Sequence, residues 1–226
     1  MVRALPVPGY ADVELVDSDL GPIPEGWRAL PASTLFTVNP REGIDKFAEH
    51  KFVTMGDLSE SCMVCWPSEL KPGNSGAKFR NGDTLFARIT PCLENGKTGF
   101  VACLDEGEVA RGSTEFIVLR GAEVGPEFTY VTARDERFRQ HAIKSMSGAS
   151  GRQRVRNECF DSYLLAGPPA KVEKAFRETV EPMFDLVFSL ADQNRVLAEA
   201  RELLLPRLIS GDLHVSELDL DFEPVA

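Results

Sequence analysis

The sequence predicts an α+β protein: one mixed α/β domain followed by a C-terminal helical arm of coiled-coil type. Three observations lead there. From Trp27 to about Ala166, short apolar β-like runs are separated by turns bearing Gly and Asn. The composition shifts at Gly167-Pro168-Pro169. Beyond it, apolar residues recur at heptad spacing, which argues for a helix packed lengthwise on another helix. The expected boundaries are a lead-in over 1–26, a domain over 27–167, an arm over 168–211 and a tail over 212–226.

The lead-in repeats proline and glycine (Pro6, Pro8, Gly9, Gly21, Pro22, Pro24, Gly26) around an acidic patch and has no sustained periodicity. Trp27 follows it and is expected to anchor the core, as is Phe116. Strand candidates are Phe52–Thr54, Thr84–Ile89, Gly99–Leu104 and Phe116–Leu119. Thr84–Ile89 and Glu115–Leu119 read as apolar-alternating runs, introduced by the turns Asn81-Gly82-Asp83 and Gly112-Ser113-Thr114. Between them Asn95-Gly96 is a strong turn signal. Phe128–Ala133 and the polar-basic stretch to Lys144 read as helix, with Phe128, Val131, Phe138 and Ile143 facing inward.

Ala170–Val180 reads as a short amphipathic helix with Val172, Phe176 and Val180 on one stripe. Pro182 is unfavourable inside a helix and fits the first turn of a new one. One seam of the heptad series is Phe176, Met183, Leu190, Leu197 and Leu204. The other is Val180, Val187, Asn194, Arg201 and Leu208. This arm either folds back on its own domain or packs on another helix. Roughly 27 residues at 1.5 Å give about 40 Å, enough to outreach the domain. Met183, Val187, Leu190, Asn194, Leu197 and Leu204 are therefore the candidate oligomer contacts. Gly211 marks the helix end, and Asp212–Ala226 is an acidic, loose tail.

Net charge is −10, which taken alone argues against a nucleic-acid partner. Its distribution points the other way. Residues 1–74 and 157–226 carry −5 and −8, whereas 75–156 carry +3, and 134–156 alone carry +5. A local basic face is what phosphate contact requires. The start of the chain lacks the pattern of a signal peptide, and no run approaches the roughly 18 apolar residues of a membrane helix. A cytoplasmic protein with reduced cysteines and no membrane partner is expected.

Arg88, Asn95, Lys97, Ser113 and Thr114 fall on or beside turns, and all can reach phosphates or base edges. On strict alternation Arg88 faces away from an apolar set, toward DNA or toward a carboxylate such as Glu94 or Glu115. Ser147-Gly148-Ala149-Ser150-Gly151-Arg152-Gln153-Arg154-Val155 is the best candidate contact loop. Its glycines let a backbone approach a duplex, and Ser150, Gly151, Arg152, Gln153 and Arg154 supply donors. Cys62-Met63-Val64-Cys65 lacks a second short-spaced pair to close a zinc site, so reduced, partly buried thiols are expected and no metal. There is no phosphate-binding glycine loop. The Asn-Pro-Pro-Tyr type of motif of amino-methyltransferases is also missing, since Asn39-Pro40 is followed by Arg41.

FRNGDTLFARITPCLENGKTGF and GSTEFIVLR over 79–120, SGASGRQRV at 147–155 and the helical end LLLPRLISG together resemble the target-recognition module of Type I restriction-modification specificity subunits. The resemblance runs from about Gly21 to Leu218. It implies a non-catalytic reader of double-stranded DNA with no cofactor of its own. S-adenosylmethionine and ATP would belong to the modification (methyltransferase) and restriction subunits that partner it. Full subunits of the family carry two recognition domains and two arms in tandem, reading a bipartite target across a fixed gap. With one domain and one arm, this sequence is either a half-subunit acting as a homodimer or a remnant of a longer gene. Residues 10–26 resemble the junction between two halves, and a remnant would dock partner subunits without reading DNA.

Overall fold

The computed structural model describes residues 13–149 and 151–213, so Ser150 and the tail from His214 onward lie outside the described residues. The first strands are β1 (Leu15–Val16), β2 (Ile23–Pro24) and β3 (Arg28–Pro31), followed by α1 (Ala32–Leu35) and β4 (Phe36–Val38). Then come β5 (Glu49–Val53), β6 (Glu69–Pro72), β7 (Ala77–Phe79), β8 (Thr84–Ala87), β9 (Thr98–Phe100), β10 (Ala110–Gly112) and β11 (Phe116–Gly121). The chain continues through α2 (Pro126–Arg134), α3 (Glu136–Lys144), α4 (Cys159–Ser162), β12 (Leu164–Gly167) and α5 (Ala170–Ser210). It divides into two units, residues 1–184 and 185–226.

Within the first unit, an antiparallel sheet has the order β4-β11-β8-β9 and a second sheet the order β6-β5-β10-β7, in which β5 and β10 run parallel. Successive residues of a strand point to opposite faces. In the first sheet Phe86, Ile117 and Leu119 enter a core shared with Leu35, Phe138 and Phe160 from the helices, whereas Leu85, Phe116 and Val118 enter a second core with Val53, Phe79 and Ala110. Both faces are covered. Leu85–Ala87 and Phe116–Leu119 are therefore apolar and buried at successive positions rather than alternating, which corrects the alternation expected of these runs.

Phe138 joins the helices to the sheet. It stacks on Phe160 at 5.4 Å and meets Phe86 edge-on at 5.8 Å and Tyr163 at 5.2 Å. Burying one such ring is worth about 1.5–3 kcal/mol. Asp135 breaks the helix expected from Phe128 to Lys144 into α2 and α3. Its backbone is extended, and its carboxylate accepts from the amides of Arg137 and Phe138 as an N-cap. The buried residues of α2 are Glu127, Thr129, Tyr130, Thr132 and Ala133; Phe128 and Ile143 pack against the core as expected, whereas Val131 is 50% exposed rather than inward.

Other expectations are corrected by the same packing. Trp27 is only partly buried and belongs to neither core, because it sits in the turn ahead of the two-stranded β3–β12 ribbon. β8 ends at Ala87, where Arg88 and Ile89 leave the ladder to bond residues 154 and 155. β9 ends at Phe100, short of Leu104, and β5 at Val53. Gly211 takes φ +77° just past α5, the left-handed conformation that suits a helix end.

No break occurs at Pro182. α5 is continuous from Ala170 to Ser210 and contains both Pro182 and Pro206. An interior proline removes one hydrogen bond and costs about 3 kcal/mol. On either side of Pro182, Phe176 meets Phe128 at 6.0 Å and Phe184 meets Phe100 and Tyr130 at 5.1 and 5.8 Å. That ring packing holds the helical path across the proline. It also explains why the unit boundary falls at Phe184 rather than at the compositional shift.

One buried ion network ties the first sheet to the loop after β4. Arg120 donates twice to Asp83, at 2.7 Å each, and once to Glu42 at 2.7 Å, while Arg80 donates to the other Glu42 oxygen. Burial alone would raise the Glu42 carboxyl, but the bonds from Arg120 and Arg80 outweigh it and hold it below its ordinary value of 4.5. A depressed carboxylate stabilises the fold fully above its unfolded pKa, and that contribution is lost as pH falls through the folded value. Thermal melting of Glu42→Gln should therefore lose less stability than wild type as pH drops below 4.5. Arg120→Ala strands the Asp83 carboxylate; breaking a buried pair costs about 3–5 kcal/mol, and partial exposure of Arg120 reduces this to about 2–3.

Candidate nucleic-acid interface

The strand directions bring the candidate residues to one rim. β8 ends and β9 begins there, because the two are antiparallel neighbours. β11 is antiparallel to β8 and starts there, so Thr114 and Glu115 lie beside Arg88, whose amide donates to the Glu115 carbonyl at 3.0 Å. In the second sheet, Gly112 pairs with Val53 and with Ala77, so the ends of β10 and β5 and the start of β7 reach the same place. The segment Ser113–Glu115 crosses from one sheet to the other at this rim.

The 147–156 loop is fastened onto it. The Thr90 amide donates to the Gln153 carbonyl at 3.1 Å, the Val155 amide to the Arg88 carbonyl at 2.8 Å, and the Gln153 amide to the Thr90 hydroxyl at 3.2 Å. Ser147 and Arg154 close the loop on itself through two backbone bonds. Gly151 has φ +78° and open space around its Cα, so it supplies the turn without hindering approach. The structure thus gathers Arg88, Ser113, Thr114, Gly151, Arg152, Gln153 and Arg154. Asn95 and Lys97 are held by a different loop: Asn95 donates to the Glu60 carboxylate at 3.0 Å and the Lys97 ammonium to the Met55 carbonyl at 2.9 Å.

The gathered side chains are not equivalent. Arg88 donates to the Val155 carbonyl at 2.9 Å, not to the carboxylate of Glu94 or Glu115. Arg154 makes a forked pair with Glu115, at 2.8 Å from Nε and 2.6 Å from Nη2. Those bonds hold the Glu115 carboxyl below its ordinary value, against burial. Arg152 is exposed. Ser113 accepts from the Glu115 amide at 3.1 Å, and Thr114 is exposed beside it.

Sequence reading missed Arg111, which is 2% exposed. Its guanidinium donates to the carbonyls of Lys71, Pro72 and Ser75 at 2.7, 2.9 and 3.0 Å and lies 5.6 Å from the Phe52 ring. It therefore pins the connection from β6 to β7, whose end, Gly76, reaches the rim. A side chain at Gly76 would collide with the Gly112 carbonyl oxygen. The Gly-Asn-Ser-Gly composition of 73–76 was the available signal, but nothing local indicates that a buried arginine holds it.

The cysteines are distributed by packing. Cys65 is buried and donates to the Phe100 carbonyl at 3.4 Å, with burial pushing its thiol up, whereas Cys62 is exposed. Among the described residues, no group of three or more His, Cys, Asp or Glu side chains could hold a metal ion. Among the same residues no helix is long and apolar enough to cross a membrane.

No protein-family model matches the chain. It is 28% identical over 195 residues to the Type I restriction enzyme EcoEI specificity subunit of Escherichia coli, an alignment covering 83% of this chain and 33% of that protein. The EcoAI specificity subunit of the same organism is 24% identical over 194 residues, with the same coverage. The chain is thus similar in sequence to specificity subunits of Type I restriction enzymes. Its fold agrees: the HsdS subunit from Thermoanaerobacter tengcongensis matches with a TM-score of 0.56 at 18% identity, over 91% of this chain and 54% of that one. A chain from a type I R-M system assembly gives 0.55 at 21% identity, over 89% and 53%. The chain therefore spans about a third of the length of these curated relatives and about half of these solved chains.

The Glu115–Arg154 pair should control the order of the 147–156 loop. Since Glu115 is held below its ordinary value, the pair is intact at neutral pH and is lost as pH falls through that lowered value. Hydrogen exchange at the Ser147 and Arg154 amides is expected to be a few-fold faster in Glu115→Gln than in wild type at pH 7.

Proposed function

We propose that this chain is a DNA-reading specificity subunit that directs methylation and restriction by partner subunits. The observation that carries the reading is the single rim, where two sheet ends and the 147–156 loop converge with Arg88, Thr114, Arg152 and Gln153. These are donors of the kind that contact phosphates and base edges. On this reading the chain carries no catalytic centre, and S-adenosylmethionine and ATP act on the modification and restriction subunits. Partner docking falls to α5, whose exposed apolar residues extend beyond the seam to Leu203, Leu205 and Ile209. A helix apolar on several sides is suited to burial by more than one neighbour.

Duplex binding should be measured by fluorescence anisotropy across a salt series, with and without the modification subunit. Affinity is expected to fall linearly on a log–log plot of binding constant against salt. Arg152→Ala should weaken binding without lowering the melting temperature. A base contact by Arg152 would cost about 1–3 kcal/mol at one sequence position, whereas a phosphate contact would lower affinity on all sequences. The competing reading, a remnant that docks partners without reading DNA, is favoured by the width of the α5 apolar surface. It is the reading that survives if no salt-dependent binding occurs under either condition.

The same proposal includes a homodimer. Met183 and Leu197 are 57% and 66% exposed, and Val187, Leu190 and Leu204 continue the stripe. Asn194, exposed at a seam position, would restrict register and orientation, as polar seam residues do. An antiparallel two-fold pair sends two identical domains to opposite ends, so the assembly would read an inverted repeat split by a fixed gap. Light scattering should give a dimer mass at tens of micromolar, and Leu190→Asp with Leu197→Asp a monomer. Methylation of an asymmetric bipartite site by the homogeneous complex would rule this arrangement out.

A further inference from the structure

Beside the rim lies an open cleft of about 560 Å³ between β7, β11 and the loop after β4. Its lining includes Asn39, Arg41, Glu42, Lys78, Arg88 and Thr114. Only Arg88 and Thr114 of these carried any expectation from the sequence.

The amide and carboxylate oxygens of the lining side chains are already occupied. Asn39 is the one non-glycine residue with positive φ among the described residues, at +51°. That conformation lets its side-chain oxygen accept the Val118 amide at 2.9 Å, which leaves its NH₂ group as the remaining polar end. Glu42 is the single carboxylate of the lining, and both its oxygens are taken by Arg120 and Arg80. The donors are less committed. The side chains of Arg41 and Lys78 make no hydrogen bond or ion pair among the described residues. Arg88 spends Nη2 on Val155, while its buried Nε has no partner. The Thr114 hydroxyl can also donate.

A cleft that presents donors and cations, with its amide and carboxylate oxygens occupied, is matched to an anion. It is poorly matched to an adenine or cytosine edge, each of which presents an amino donor in the major groove, and the salt slope separates a phosphate from the acceptor-only edge of guanine. Concave walls also concentrate a positive field relative to the same charges on a flat surface. We propose that this cleft holds a backbone phosphate of the DNA duplex, with Arg41 and Lys78 as its principal contacts. This rests on the DNA-reading function proposed above. It assigns the cleft to anchoring and leaves sequence discrimination to the 147–156 loop. Arg111 is a positioning residue for it, since it fixes the connection that ends at Gly76, on the cleft wall.

The test uses the full chain and labelled mixed-sequence duplexes, titrated by anisotropy at several salt concentrations. Arg41→Gln with Lys78→Gln is compared with Lys46→Gln, a charge control beyond the opposite end of β5. The double variant should keep the wild-type melting temperature, lose affinity for every duplex and flatten the salt slope by about 0.9, the contribution of one neutralised phosphate. Lys46→Gln should leave the slope unchanged. Wild-type slope and affinity in the double variant, with Arg152→Ala still weakened, would overturn the cleft assignment while sparing the function. A loss confined to one sequence with an unchanged slope would overturn the phosphate assignment. So would a loss of ATP or inorganic phosphate binding without any loss on duplex. Absence of salt-dependent binding by wild type would overturn both proposals.

Discussion

Burial of β8 and β11 on both faces is the constraint from which the rest of the domain follows. Phe86, Ile117 and Leu119 face the helices while Leu85, Phe116 and Val118 face the second sheet, so neither strand can slip by one residue without exchanging the two cores. Register fixed in this way fixes where each strand ends. Arg88 follows β8 and Thr114 precedes β11, and their adjacency is a consequence of core packing rather than of any attraction between them. The same locked register aligns Gly112 with Val53 and Ala77, which brings the second sheet's ends to the same rim.

Charge at that rim is arranged by occupancy more than by count. The chain is acidic overall, yet the carboxylates nearest the candidate contacts are already engaged. Glu115 is paired with Arg154, and Glu42 with Arg120 and Arg80. Neutralising an acid locally leaves neighbouring cations such as Arg41, Lys78 and Arg152 unopposed at short range, where the potential that matters to a phosphate is set. Formal net charge is a poor guide to such a surface because screening removes most of the influence of the distant acidic segments.

α5 illustrates a local rule yielding to tertiary contacts. Pro182 disfavours a continuous helix, but the rings of Phe176 and Phe184 are each seated against aromatic residues of the domain. Interrupting the helix between them would change their separation and cost ring packing at both sites. Each aromatic pair is worth about 0.5–1.5 kcal/mol beyond its burial, so three such contacts are comparable to the proline penalty. Farther along, where seam residues are exposed, the heptad pattern stands as written in the sequence.

Much of the architecture was legible in the amino-acid order alone. Mixed α/β class, the turns at Asn81-Gly82-Asp83 and Asn95-Gly96, the four main strand positions and a helix starting just past Gly167-Pro168-Pro169 all arise from local signals. So did the basic 134–156 segment and the glycine-flanked 147–155 loop, because charge and backbone permissiveness are read residue by residue. Hidden were the short strands β1 to β4, β6, β7, β10 and β12, whose few residues carry no periodicity, and the split at Asp135. The site was legible only as a set of candidates. Which candidates meet is settled by register and by packing: Lys97 and Asn95 turn to the 55–60 loop, Arg154 to Glu115, and Arg111 to three carbonyls remote in sequence. Asn39, Arg41 and Lys78 come together only because β4, β7 and β11 are neighbours. A sequence determines what each residue can bond; the long-range pairing of strands decides which bond it makes.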